Sequence, residues 1–365
     1  MKRAFLFMMI ALLGLGYYSK SRPTEIADRV LVHAVGIDET EDGYSVIMQV
    51  FAPDGSGGDT PLDPSQPNVR LVSGSGETVA EAVSECRGKL GGELFFGQDR
   101  VILFGRDTDL SRTDELCGFF LSTGETFLNI DCAAAYPTAE KILSLPVTAG
   151  SVASERFVRM IRSGEDSGSC CRCTFTELLA AMDTPSQTVI LPEFAKTKAE
   201  KKKDGKTIEA ESPLTLGEGA EFVGGRYSAK VSPDDMALIA AVSGRGRHFR
   251  SGRKQPDGTE MLFRVRSREV TAVTDGDVLI VSVKLRVAPA SAKLFSSPSE
   301  RELTDKISAE AAERRINALC ERVCSEGCAD LLGADMHLRR FAPSLYRSLT
   351  PEARRLSVRY SVTIC

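Results

Sequence analysis

The tightest constraint on the fold is the way the hydrophobic pattern changes period along the first 145 residues. Residues 30–37 and 44–51 read as two strands, and Asp42-Gly43 between them is a hairpin turn signal. Residues 69–74 give a third, short strand. Ser75-Gly76-Glu77-Thr78 then opens a helix with apolar positions at Val79, Ala82, Val83, Cys86 and Leu90, the spacing of one helix face. A strongly apolar strand follows at 100–104, then a helix at 109–121, a strand at 130–136 and a short helix at 139–145. Alternation of this kind folds about one mixed sheet with helices packed on it.

Helices at 154–161 and 175–182 and a short strand at 188–191 continue the pattern. The charge-dense stretch 196–211, with Lys201-Lys202-Lys203-Asp204-Gly205, reads as a solvated hairpin tip or a linker, and hence as a domain boundary. Beyond it come a hairpin (214–222 and 225–231), a short helix (233–242) and two paired strands (261–273 and 278–287) around Asp275-Gly276-Asp277. A long helix over about 300–332 follows. A final strand alternates Leu356, Val358, Tyr360, Val362 and Ile364 with polar residues, so one face packs and the other is wet. A chain of 365 residues exceeds one ordinary core. The expectation is a multi-domain α+β protein, each domain a mixed or antiparallel sheet with packed helices. Its parts are a signal or anchor at 1–18, an N-terminal domain at 24–195, the charged linker or hairpin tip at 196–212 and a C-terminal domain at 213–365. The last is either one unit or two subdomains, 213–258 and 259–365.

Lys2 and Arg3 precede an apolar run over 4–18, the layout of an export signal. The run is shorter than the roughly 20 residues of a full span, so a cleaved signal and a short anchor both fit. Gly16 permits cleavage after it. Tyr17-Tyr18 with Lys20 and Arg22 resembles an anchor flank, which favours retention. The net charge of -4 argues against a nucleic-acid binder. Ten cysteines in an exported chain suggest disulfides, but their spacing forms no framework, and free buried thiols are the simpler reading. Cys170, Cys171 and Cys173 crowd one segment far from His33, His248 and His337, which does not make a closed metal site. No Gly-x-Ser-x-Gly elbow and no His-Glu-x-x-His occurs. No catalytic residue, cofactor or metal ligand is expected.

Two segments stand out as candidate surfaces. Phe95, Phe96, Gly97 and Gln98 are either structural or partner-binding; two adjacent Phe at the start of an apolar strand are more often core. On that reading Phe95 and Val101 bury against the helix begun at Thr78. Arg245, Arg247, His248, Arg250, Arg253 and Lys254 form a basic loop. It is solvated, or it touches anionic headgroups through Arg245, Arg247, Arg250, Arg253 and Lys254.

An ordered set of short stretches carries a resemblance. Glu25-Ile26-Ala27 precedes the first strand, and Gly36-Ile37-Asp38 leads through Asp42-Gly43-Tyr44 into the second. Gly76-Glu77-Thr78-Val79-Ala80-Glu81-Ala82 starts the helix, and Leu94-Phe95-Phe96-Gly97-Gln98 runs into Val101-Ile102-Leu103-Phe104-Gly105. Residues 327–333 and then Pro343-Ser344-Leu345-Tyr346 stand near the end. Over 24–364 this order resembles the Ger(x)C family of spore germinant-receptor C subunits. The chain departs from that pattern in having no lipobox cysteine, its first being Cys86, in Gln98 where His is frequent, and in Tyr346 where Trp is frequent.

The resemblance implies a three-domain α+β fold, each domain with its own sheet, and no catalysis. It also implies a place on the extracytoplasmic face of the spore inner membrane, assembled with a polytopic A-type and a transporter-like B-type subunit. An extracytoplasmic small-molecule-binding sensor is the alternative. An exported hydrolase ranks below it because the chain is poor in His and in motifs.

Overall fold

The computed structural model describes residues 29–51, 69–145, 153–196, 214–255, 258–290, 298–326 and 330–365, together with Met9. The expected signal or anchor and most of the charged stretch lie outside them.

The period-2 and period-3.6 segments assemble as one mixed sheet and one smaller sheet. In the first sheet β1 (Arg29–Thr40), β2 (Gly43–Phe51) and β3 (Val69–Gly76) form an antiparallel meander. Strands β4 (Glu93–Phe95) and β5 (Val101–Gly105) run parallel to β1. Next come β6 (Asp131–Tyr136), β7 (Cys173–Thr174) and β8 (Val189–Lys196), with β5, β6 and β8 parallel. Strands β9 (Leu214–Val223) and β10 (Arg226–Val231) close the far side as an antiparallel hairpin. The order is β10-β9-β8-β6-β5-β1-β2-β3. All five residues of β5 are buried, as befits a central strand with both faces covered.

Alternation along β5 sorts the side chains between two cores. Ile102 and Phe104 pack with α1 (Val79–Leu90), α2 (Thr113–Thr123) and α5 (Phe175–Met182). Val101 and Leu103 face α3 (Ala139–Leu143), α4 (Ala153–Asp166) and α6 (Pro233–Ser243). Thr78 caps α1 by accepting the Glu81 amide at 3.2 Å. Met236 through Val242 are all buried in α6, which is what a helix apolar on every side requires. Ser232 and Pro233 start it, and Gly244, at φ +86°, ends it.

The same core continues into the second sheet, ordered β11-β12-β13-β14. Its strands are β11 (His248–Lys254), β12 (Glu260–Asp275), β13 (Val278–Pro289) and β14 (Val358–Ile364). Helix α7 (Pro298–Glu326) covers this sheet, and α8 (Ala334–Phe341), α9 (Pro343–Ser348) and α10 (Pro351–Leu356) lead into β14.

The structure differs from the sequence reading in several places. The described residues form two sheets rather than three. The reason is that Lys196 lies opposite Leu214, so the strands flanking the charged stretch pair with each other. The hairpin 214–231 thus extends the first sheet, and the change of sheet falls at α6 rather than at 196–212. The basic stretch is not a loop: His248–Lys254 is a strand paired with β12. The long helix is described over Pro298–Glu326, and three short helices, which the sequence reading did not include, fill Ala334–Leu356.

Under the second sheet lies a buried polar cluster. His337 Nδ1 is 3.0 Å from the Tyr360 hydroxyl, which donates to the Leu332 carbonyl at 3.1 Å. Burial, with the charge of Arg268 close by, lowers His337 to about 4. The unfolded imidazole takes up its proton near 6.5, so between these values the unfolded chain holds more protons than the folded one. Stability therefore rises with pH through this window and is lost as pH falls, by about 3 kcal/mol in all. Burial pushes the Asp330 and Asp335 carboxyls up, and these act with the opposite sign. The difference between the parent and His337→Gln isolates the imidazole. Urea unfolding of the pair from pH 4 to 7 should give a gap that widens with rising pH; parallel curves would refute the assignment.

Candidate functional site

Strand β4 and the turn after it place the Phe95–Gln98 segment beside α1 and α2. The alternation of the strand decides which ring goes inside. Phe96 is buried and meets Phe119 and Phe120 edge-on at 5.5 and 5.7 Å. Its amide donates to Glu125 Oε2 at 3.2 Å. Phe95 is only half-buried and lies under the Arg29 guanidinium at 5.1 Å. A Cβ at residue 97 would come within 2.4 Å of the Phe95 ring, so glycine there lets that ring lie over the turn. Gln98 is exposed. Asp99 is buried; its carboxyl oxygens lie toward the amides of Val101 and Arg100 without a hydrogen bond of good geometry, and burial raises its pKa well above the usual range.

The expectation for Phe95 and Val101 is thus corrected. Phe96 fills the core near α1 and α2, and Val101 is buried on the opposite face of the sheet. Next to Phe96 a groove of ≈ 320 Å³ runs between α1 and α2, lined by Val83, Arg87, Leu94, Phe96, Phe119 and Glu125. The loop leading out of α2 presents Phe127 and Leu128 to solvent, 62% and 51% exposed. The loop is tied down: the Thr176 amide and hydroxyl donate to the Leu128 carbonyl at 2.9 and 2.7 Å. Large apolar side chains on a pinned loop are a feature of contact surfaces.

The basic residues do not act as a unit. Arg245 and Arg247 line a polar cleft of ≈ 430 Å³ with Arg162, Glu165, Arg172 and Glu177. Arg250 instead turns inward, its Nε donating to the Ser167 carbonyl at 3.1 Å. Arg253 and Lys254 stand at the exposed end of β11. Within the cleft Arg172 and Glu177 already have partners. Arg172 pairs with buried Asp131, and Glu177 caps α5 by accepting from the Thr174 amide and hydroxyl at 2.7 and 2.8 Å. Burial raises the Glu165 pKa against the opposing pull of Arg172 and Arg247. The cleft is a seam of mixed charge, with Arg162, Arg172, Arg245 and Arg247 facing Glu165, Asp166 and Glu177.

Among the described residues no three His, Cys, Asp or Glu side chains are set to hold a metal ion. The nine described cysteines are free thiols, and burial pushes Cys170 and Cys173 up, away from the reactive thiolate. Sequence reasoning missed a buried pair. Arg106 Nε and Nη2 donate to the two Glu193 oxygens at 2.7 and 2.6 Å, and its guanidinium stacks on Tyr136 at 3.7 Å and on Tyr227 at 4.7 Å. The pair joins residues distant in sequence, and no local pattern marks it.

The described residues thus form a mixed sheet with helices on both faces and a groove beside Phe96. Residues 22–196 match the family of the spore germination protein N-terminal domain. That stretch is similar to the N-terminal domain of spore germination proteins, in line with the resemblance read from the sequence. The crystal structure of the GerBC protein is similar at 15% identity and a TM-score of 0.45, over 90% of this chain and 95% of that one. Among curated proteins none matches.

Proposed function

We propose that the chain is the non-catalytic C subunit of a spore germinant receptor, acting in the response to nutrient germinants. The observation that carries this reading is the germination-protein domain over residues 22–196. The subunit sits on the extracytoplasmic face of the membrane and assembles with polytopic A-type and B-type subunits. No helix among the described residues is long and apolar enough to cross a membrane, so the reading gives the holding role to the 4–18 segment and to the partners. That segment has the charge-then-apolar order of an export signal. The groove beside Phe96 and the pinned Phe127-Leu128 loop are the surfaces this reading assigns to partner contact.

A tagged chain, gently solubilised from sporulating cells, should bring two polytopic proteins down with it. Its N-terminus, sequenced from the same membrane fraction, should begin at Met1 or Lys2. Recovery as a lone soluble protein would count against the receptor reading, and a start at Tyr17 against the retained anchor.

A further inference from the structure

The two outer edges of the second sheet are treated differently. On β14, helix α7 occupies the open side. Asn317 Nδ2 donates to the Val362 carbonyl at 2.8 Å, and its Oδ1 accepts the Val362 amide at 2.8 Å. Glu313 Oε2 accepts the Ile364 amide at 2.8 Å. Side chains thus satisfy the backbone where a further strand would pair.

Among the described residues strand β12 has no such cover along its second half. Strand β11 pairs with it only between Glu260 and Arg264, and the Val265 amide goes to the Arg247 carbonyl at 2.8 Å. From 266 to 275 β12 pairs with β13 on one side, and among the described residues no strand lies on the other. The hairpin turns through Gly276, at φ +57°, with Asp275 opposite Val278. In a two-residue hairpin the flanking pair exchanges both hydrogen bonds. The amides and carbonyls of Thr274, Ala272 and Val270 therefore point to the open edge. A long bare edge is a template for another strand unless proline, lysine or a bulge blocks it. Residues 266–275 contain neither proline nor lysine, the register shift of β12 lies at the far end of this stretch, between Val265 and Ser267, and Val273 is 68% exposed.

The charges along this edge are polarised. Exposed Arg264 and Arg266 lie at one end, and Asp275 and Asp277 at the other, while Arg268 turns inward, its Nε donating to the Val242 carbonyl at 2.6 Å. A parallel neighbour of the same sequence would set like charges side by side, whereas an antiparallel one sets bases against acids. We propose that this edge pairs antiparallel with the same edge of a second copy of the chain, about a twofold axis at Thr271. In that register Thr271 faces Thr271, Val270 faces Ala272 and Glu269 faces Val273. The outward backbone groups of 268, 270, 272 and 274 meet one another, which completes the ladder. Arg266 of one copy falls opposite Gly276 of the other, between Asp275 and Asp277. Arg247, exposed where β11 begins, adds a base beside the incoming tip. The contact is isologous, as a twofold dimer requires, and it leaves the groove beside Phe96 free for other subunits.

The test uses the full chain in mild detergent. Thr271→Cys is made in a Cys365→Ser background, with Thr363→Cys, on β14, as the control. Facing residues of a non-hydrogen-bonded pair have Cα atoms about 4.5 Å apart, inside the disulfide range of about 4.4–6.8 Å. Gentle oxidation should give a disulfide-linked dimer of the Thr271→Cys chain and none of the control. In sedimentation equilibrium, Asp275→Lys with Asp277→Lys should weaken the dimer at least about tenfold, because like charges then face each other. Adding Arg266→Glu should restore it. Equal cross-linking of both cysteine chains would overturn the proposal. So would a dimer indifferent to charge reversal, or a pure chain that stays monomeric and pairs only with another protein.

Discussion

Phe96→Ala should lower the free energy of unfolding by about 3–5 kcal/mol, the range for removing a buried ring. The ring is 2% exposed, it meets Phe119 and Phe120 edge-on, and its own amide is held by Glu125. Truncation leaves a cavity beside an existing groove of ≈ 320 Å³, and two Phe rings lose a partner. The neighbouring change, Phe95→Ala, removes a half-buried ring and one stacked guanidinium, and should cost roughly 1 kcal/mol. Urea unfolding at constant m-value measures both. Equal losses for the two variants would mean that both rings are core. A loss under about 0.5 kcal/mol for Phe96→Ala would mean that the ring is at the surface.

Glu193→Ala should be comparably damaging, at about 3–5 kcal/mol, because it strands a buried guanidinium. The Arg106 side chain is 11% exposed and that of Glu193 4%. With its two acceptors gone, Arg106 keeps the Tyr136 and Tyr227 rings but no carboxylate. The double replacement Arg106→Met with Glu193→Leu removes both charges and should recover most of the loss, since a buried pair is often matched by apolar residues of similar volume. A single variant within about 1 kcal/mol of the parent would show that water reaches the guanidinium and that the pair adds little.

The two predictions mark what can be read locally and what cannot. The Phe95-Phe96 pair was legible as a strand entering a core, because β-branched and aromatic runs bounded by glycine carry that meaning. Which ring faces inward was not legible, since a one-residue shift of register exchanges every side chain between faces. The parallel pairing of β4 with β1, with Leu94 opposite Val30 and Phe95 opposite Leu31, set it. The basic stretch was misread for a related reason. Arg, Gly and Ser residues between 244 and 253 give the composition of a loop, yet Phe249 and Ser251 are buried in alternation. Strand propensity depends on burial against neighbours, and those neighbours, β12 and α7, come later in the chain.

By itself the sequence determined the element order and the longer strands and helices of the first sheet, down to the helix start at Thr78, but not the short strands β4 and β7. Hydrophobic period and turn chemistry act over a few residues, and they are written in the chain. It also carried the germination-family resemblance that the domain over 22–196 bears out. The tertiary structure alone decided that the strands flanking the charged stretch join one sheet, with Lys196 opposite Leu214. It alone decided that α6 lies buried between two sheets, that Arg106 finds Glu193, and that among the described residues the second half of β12 pairs on one side only. Each of these depends on partners far apart along the chain, and short-range pattern holds no record of who meets whom across the core.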